Sequence, residues 1–332
     1  MQAAWIRSPA LALALAGALT TSLARPAAVA ATPSRSFDTD GDGDIDLTIY
    51  DTNGDGYFEW PTGTKSLPGR LDVTATDRIA FSGSTTIQTT QGVSYADGSE
   101  LVTRPGAPLV KLAITANGGD VIGYGLVDLA ASGDVIVTAK GHVALFGTTH
   151  VTTPGTITLS SKTAGASLAQ LTPDDYAPGA FALLAGKAVN FKAAGNNASI
   201  FIELARVGSR VINLTATSSN SSGAGPFFLR NDALVTTDPA RTGLSGTPGN
   251  ITLSAQRTIM LVWNGATIDS AKNVVFKTQY GGFLQVCTAT VEANDGAGTI
   301  DTRYVSDGAF KNATSTINGI VVGKPFVPGC QF

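Results

Sequence analysis

The stretch from Asp38 to Trp60, DTDGDGDIDLTIYDTNGDGYFEW, packs eight acidic side chains into its first 22 positions with no Lys or Arg among them. Carboxylates set at alternate positions repel one another unless a cation holds them, so the chemistry written here is that of a hard metal ion. Asp38, Asp40 and Asp42 are followed by Gly43, and Asp51, Asn53 and Asp55 by Gly56. Each half reproduces D-x-[DN]-x-[DN]-G, in which oxygen ligands converge as the loop curls around Ca²⁺ and the glycine supplies the sharp turn. Asp44 and Tyr57 at the seventh places, with Asp46 and Glu59 at the ninth, complete the candidate set; Ile45 and Phe58 fill the apolar eighth place of each copy. The twelfth places hold Ile49 and Thr62 instead of a bidentate Glu. Asp51 or water would have to complete the shell, and sites of this kind bind as weakly as ~10⁻⁴ to 10⁻³ M. The competing reading of the stretch is a disordered acidic linker, against which the repeated spacing and the aromatic end YFEW both argue.

The copies are offset by 13 residues, which leaves no room for the helices that flank a regular EF-hand loop. This tandem resembles the calcium repeats of thrombospondin type 3 and of related bacterial secreted proteins, over residues 38 to 60 only. The resemblance implies Ca²⁺ as the ion, and the position of the loops ahead of the rest of the chain makes its role structural.

What precedes the acidic stretch reads as an export signal. Arg7 opens a short basic start, an apolar run follows from Ala10 to Leu19, and small residues lead to Ala30. The run is short and rich in Ala, Gly and Thr, so residues 1–30 read as a cleaved signal peptide in preference to a membrane anchor, and no later stretch is long enough to span a bilayer. The expected location is secreted, extracellular or cell-surface, with the periplasm also open. Without those residues, which carry two Arg and no acid, 20 basic and 25 acidic side chains remain; subtracting the eight acids of the stretch leaves 17 against 20. The acidity is therefore local, and no basic stripe interleaved with aromatics marks a nucleic-acid partner. Cys287 and Cys330 are the only cysteines. In an exported chain an even pair is expected to bridge, closing a loop worth about 3–4 kcal/mol in the chain-entropy model.

The elements that must carry these residues are strands. Low charge, 38 Gly and many short Val, Ile, Leu and Thr runs argue for an all-β fold. Residues 69–83, 133–147 and 249–263 share one pattern: Gly, any, apolar, any, apolar, Thr or Ser, Ala, three variable, apolar, any, apolar. The word "apolar, Thr, Ala" returns in looser form at Val73, Ile114, Val137, Leu159, Phe191, Leu214, Leu253 and Phe276, at separations of 41, 23, 22, 32, 23, 39 and 23. Taken as one or two turns of 20–23 residues with an insertion in the 32, these separations are the period of a solenoid. Alternation then puts Leu71, Val73, Ala75, Ile79 and Phe81 inside, with Val135, Val137, Ala139, Val143 and Leu145, and Ile251, Leu253, Ala255, Ile259 and Leu261 stacked upon them. An antiparallel sandwich is the alternative, but nothing in a sandwich requires one pattern to return in phase.

The expected architecture is a right-handed parallel β-helix over residues 66–285, of roughly ten coils at about 4.8 Å each, with tandem calcium loops at 38–60 ahead of it and a disulfide-closed C-terminal cap at 286–332. Residues 69 to 280 resemble the right-handed parallel β-helix proteins of bacterial surfaces and secretions, which include adhesin passenger domains and polysaccharide lyases. The calcium knot would close the open end of the first coil, with Tyr57, Phe58 and Trp60 lying over it.

Catalysis is harder to find. A lyase or glycosidase needs acids, or acids with Arg or Lys, on neighbouring coils, and the outward places of the aligned units (Asp72, Ile136, Thr252; Thr76, Lys140, Gln256; Asp77, Gly141, Arg257) form no acidic column. Asp120, Asp128 and Asp134 read as solvated turn residues, and His142 and His150 lack further ligands. Residues 165–186 break the rhythm and read as a projecting loop. STTIQTT at 84–90 and TTHVTT at 148–153 occupy equivalent places, a Thr-rich face limited to two coils, since the third copy reads GATIDSA. Five N-x-[ST] sites, at Asn197, Asn213, Asn220, Asn250 and Asn312, are weak evidence in so Ser- and Thr-rich a chain. The expected function is a structural, adhesive or carbohydrate-contacting role toward extracellular polysaccharide or a surface partner, with a carbohydrate-active enzyme as the alternative.

Overall fold

The computed structural model describes residues 31–332 apart from 171–179, 197, 219–225, 257–258, 279–282, 306–310, 326, 329 and 331–332. The leader, the centre of the expected projecting loop, and Asn197 and Asn220 lie outside the described residues.

From Phe58 onward the chain winds as a parallel β-solenoid of about ten turns with three walls. Wall 1 runs from Phe58–Glu59 and Arg78–Phe81 to Thr316–Asn318; wall 2 from Gly63–Leu67 to Ile320–Val322; wall 3 from Leu71–Val73 to Val327–Pro328. Each strand pairs in parallel with those one coil before and after it, as when Val135–Ala139 lies between Leu112–Ala116 and Ile157–Ser161. That register excludes the sandwich, and parallel pairing continues through the last strand of every wall.

Alternation explains why these residues make these walls. Val135, Val137 and Ala139 point inward and are buried, while Ile136 and Thr138 face out. Down wall 2 the inward side chains stack as Ile87, Ile114, Val137, Leu159, Phe191, Leu214, Leu253 and Phe276. Beside them Ala116, Ala139, Ser161, Ala193, Ala216 and Ala255 form a column of small residues where the chain turns into wall 3. The repeated word is thus a wall-2 strand ending at a tight corner. The corner from wall 3 to wall 1 is made differently, by residues in the left-handed region: Leu204, Asn231 with Asp232, Asn264 with Gly265, Thr288 and Thr314, with φ between 48° and 78°. Asn suits that conformation because its short polar side chain can bond locally, and Asn264 donates through Nδ2 to Asn231 Oδ1.

Several expectations about phase are corrected. Leu71–Val73 belongs to wall 3 and Val135–Ala139 and Ile251–Gln256 to wall 2, so the 69–83 unit is a third of a coil out of step with the other two. Val73 and Ile114 are consequently not two turns of one column; Ile87 is the wall-2 residue beneath Ile114. The separation of 39 is a single coil, since Leu214 pairs directly with Leu253; the extra length includes an excursion with the short helix Pro239–Thr242, capped by Asp238. Ala75 is exposed, whereas Asp77, expected outside, is buried, accepting from the Thr74 N–H at 2.7 Å and pairing with Arg35 at 2.9 Å. In the third unit the inward side chains are Met260 and Val262, with Ile259 39% exposed. Any spacing between two strands that spans a corner can slip by one residue, and one residue reverses every side chain.

The supposed Thr-rich face is also corrected. STTIQTT lies in wall 2 and TTHVTT and GATIDSA in wall 1. Four of their nine threonines, Thr85, Thr89, Thr149 and Thr153, point inward and are buried.

Two antiparallel strands, Ser34–Phe37 and Leu47–Tyr50, precede the first coil and extend wall 1 to 13 strands. They bury Phe37 and Ile49, and Trp60 sits between Phe37 and Phe81 with ring centroids 6.4 and 6.0 Å away. At the other end, Cys287 and Cys330 form a disulfide, Cα to Cα 6.3 Å, across 43 residues of chain.

Candidate metal centre

The acidic stretch forms two loops with the same internal wiring. In the first, Asp38 accepts from the N–H groups of Gly41 at 2.8 Å and Gly43 at 3.1 Å. In the second, Asp51 accepts from Gly54 at 2.7 Å and Gly56 at 3.0 Å. Asp42 and Asp55 each accept from the N–H two places on, Asp44 at 2.8 Å and Tyr57 at 2.9 Å. All four glycines have φ between 75° and 95°, a conformation strained for any L side chain.

Each loop is closed by the acid at its ninth place. Asp46 accepts from the Thr39 N–H and O–H, both at 2.6 Å; Glu59 accepts from the Thr52 N–H and O–H, both at 2.8 Å. These threonines were missed in the sequence reading, although aligning DTDGDGDID with DTNGDGYFE shows both at the second place. Further bonds fasten the loops to the solenoid. The Arg70 N–H donates to the Thr39 carbonyl at 2.7 Å, Arg104 pairs with Glu59 at 2.9 Å, and the Tyr57 hydroxyl donates to Glu100 at 2.8 Å.

Asp38, Asp40 and Asp42 each offer an oxygen within 4.8 Å of the other two. Oxygens held ~2.4 Å from a common Ca²⁺ lie at most ~4.8 Å apart, so this trio satisfies the distance condition. Lost hydration, and then the like charges of Asp42, Asp46 and Asp38, push the Asp40 carboxyl above its usual range against the bond from the Asp42 N–H. The Thr39 hydroxyl and N–H hold Asp46 below it, as the Tyr57 N–H and the Asn53 amide do for Asp55. Asp44 is exposed, with its N–H turned toward Asp42, while Asp51 is 6% exposed and directed to its own loop. Ile49, at the first twelfth place, is core.

Elsewhere the walls gather groups that the sequence reading kept apart. His150 meets Asp128 at 3.2 Å on wall 1, whereas His142 accepts from the Gly165 N–H at a different corner. Asp120 accepts from the His142 N–H, and Asp134 from that of Thr156. None of the outward places compared in the sequence lies on wall 1, where one acidic pair forms. Asp269 and Glu292 are register partners on wall 1, Arg241 pairs with Asp269 at 2.5 Å, and Asp238 lies within 3.8 Å of Arg241. Burial, and then the charges of Asp238 and Glu292, raise the Asp269 carboxyl against the pull of Arg241.

Comparison with family models, with curated proteins and with solved structures finds no match to this chain. Among the described residues, no helix is long and apolar enough to cross a membrane.

Proposed function

We propose that this protein is a calcium-stabilised solenoid that acts outside the cytoplasm as a rigid structural or adhesive element, contacting polysaccharide or a surface partner. The observation that carries the reading is the duplicated loop. Two copies of one hydrogen-bond network, 13 residues apart, gather carboxylates at the N-terminal end of the coil. Asp38, Asp40 and Asp42 with Asp44 and Asp46 would hold one Ca²⁺, and Asp51, Asn53 and Asp55 with Tyr57 and Glu59 a second. Bound cations would relieve the crowding that burdens Asp40. The likeness to thrombospondin type 3 repeats belongs to this reading and rests on residues 38–60 alone. So does the right-handed sense of the coil, the hand taken by ~98% of parallel β-crossovers.

A ligand that binds only the folded chain raises its stability. Thermal melting in chelator and in millimolar CaCl₂ therefore tests the metal, with an upward shift expected that Mg²⁺ does not reproduce. An unchanged melting curve removes calcium from the reading.

A second reading, a carbohydrate-active enzyme on the same scaffold, is favoured by the Asp238, Arg241, Asp269 and Glu292 cluster on neighbouring coils. Turnover of polygalacturonate, alginate or xylan, lost in Asp269→Asn with unchanged melting, would establish it over the first. The bland account of the cluster is a pin that fastens the excursion around Pro239–Thr242 to wall 1.

A further inference from the structure

Outward side chains differ sharply between walls. Down wall 2 the column outside the core reads Gln88, Thr115, Thr138, Ser160, Lys192 and Thr215. Wall 3 instead presents rings. Tyr124 stacks on Phe146 with centroids 5.4 Å apart and Phe201 meets Phe228 edge-on at 6.2 Å; one coil later Trp263 lies two residues beyond Leu261, the register partner of Phe228. Tyr124 is 46% exposed and the other four are half-buried. The rung between Phe146 and Phe201 carries the half-buried Ser167 and the buried Ala169; Phe201 is in register with Ser167 and Ala144, two residues before Phe146, so the two pairs of rings are about 10 Å apart along the axis and stepped sideways. The whole stripe covers five coil steps, about 24 Å along the axis.

We propose that this stripe is the binding face for a neutral polysaccharide chain lying along the solenoid axis. The proposal rests on the carbohydrate-contacting reading above and names its face and its ligand class. The axial C–H bonds of a pyranose ring make an apolar surface that stacks on the negative face of an aromatic ring, while its equatorial hydroxyls need partners at the side. Both are present. Arg230 lies over one face of Phe201, 4.6 Å from its centroid, and 5.9 Å from that of Phe228, so a sugar stacks on the ring faces it leaves open; it pairs with Glu203 at 3.3 Å, and Asn231, beside them on the corner, donates to Glu203. Arg230 and Glu203 cancel, so the stripe carries no net charge to attract a polyuronate. Area argues against a protein partner. Five rings of ~150–250 Å² each, less than half in contact with solvent, offer on the order of 400 Å², where a specific protein interface needs ~800 Å² per partner.

Affinity electrophoresis of the full chain through gels holding neutral β-glucan, mannan or polygalacturonate tests the assignment. Retardation by a neutral glycan is expected, weakened about tenfold or more in Phe201→Ala/Phe228→Ala and in Trp263→Ala, and unchanged in Thr138→Ala on wall 2. All variants should keep the parent's circular dichroism spectrum, with a modest fall in melting temperature for the half-buried rings and none for Thr138→Ala. Retardation that survives the ring substitutions overturns the stripe while sparing the carbohydrate-contacting reading. Preference for polygalacturonate overturns the ligand class. No retardation by any glycan overturns both, leaving the calcium reading to its own melting test. Sedimentation of a dimer that the ring substitutions disperse would instead make the stripe a self-interface.

Discussion

Thr39 and Thr52 show how much of each loop depends on one small residue. Each gives its hydroxyl to the ninth-place acid, so that acid is held inward by the loop itself. Replacing both with Val keeps the β-branched shape and removes the O–H donor. The expected outcome is a smaller melting shift with CaCl₂ than in the parent, measured by near-ultraviolet circular dichroism. Tyr95 offers a different test. Its ring is buried over Gly123, where a Cβ would lie 1.5 Å from the ring, and its hydroxyl has no hydrogen-bond partner among the described residues. It borders an apolar cavity of about 30 Å³ inside the coil, and burial raises its phenol far above its ordinary value. Tyr95→Phe removes an unpaired buried hydroxyl at constant shape, so stability should rise by about 1 kcal/mol. A fall in melting temperature would mean that the hydroxyl has a partner, such as a buried water. The loop residues were legible in the sequence because their partners lie within a few positions; the anchoring pairs Arg104–Glu59 and Arg35–Asp77 were not, because they join different coils.

At the scale of the strand, legibility tracked the walls. Wall 2 has the longest strands and the strict small-residue corner, so its word could be read down the chain from Ile114 to Phe276. Walls 1 and 3 include strands of two to four residues, too short for alternation to fix their phase, which is why the 69–83 unit was set against the wrong wall and Met260 and Val262 were exchanged for their neighbours. Adjacent positions in one good strand should then behave oppositely. Val137→Asp puts an unpaired charge into the apolar column and is expected to prevent folding, whereas Thr138→Asp, one residue on and outward, should leave the circular dichroism spectrum and melting close to the parent's. Equal tolerance of both would contradict the inward assignment. The disulfide acts between elements in the same way. Cys287 ends a wall-3 strand whose partner is Lys311–Ala313, which in turn pairs with Val327–Pro328, so the bridge reaches past one rung to the next. Reduction should lower the stability of these last coils by about 3–4 kcal/mol, read as faster amide exchange confined to residues beyond 284.

Taken whole, the molecule is a one-dimensional stack in which every strand of the coil touches the strand one coil earlier and the strand one coil later. Its stability is therefore a sum over neighbours with special terms at the two ends. Gly69 marks the first of those terms. A Cβ there would lie 1.8 Å from the Thr39 carbonyl oxygen, and the following N–H, of Arg70, donates to that same oxygen. Gly69→Ala should separate the loops from the first coil, exposing Trp60 and red-shifting its fluorescence while the circular dichroism of the remaining coils persists. If the spectrum stays native, the loops are held by other contacts. The stack also has a direction in time. The antiparallel strands and the acidic loops leave the ribosome before any coil does, and each later strand finds its pairing edge already formed a few tens of residues behind it. A chain emerging N-terminus first can thus add one coil after another onto a finished template, so synthesis and folding can proceed as a single ratcheted process.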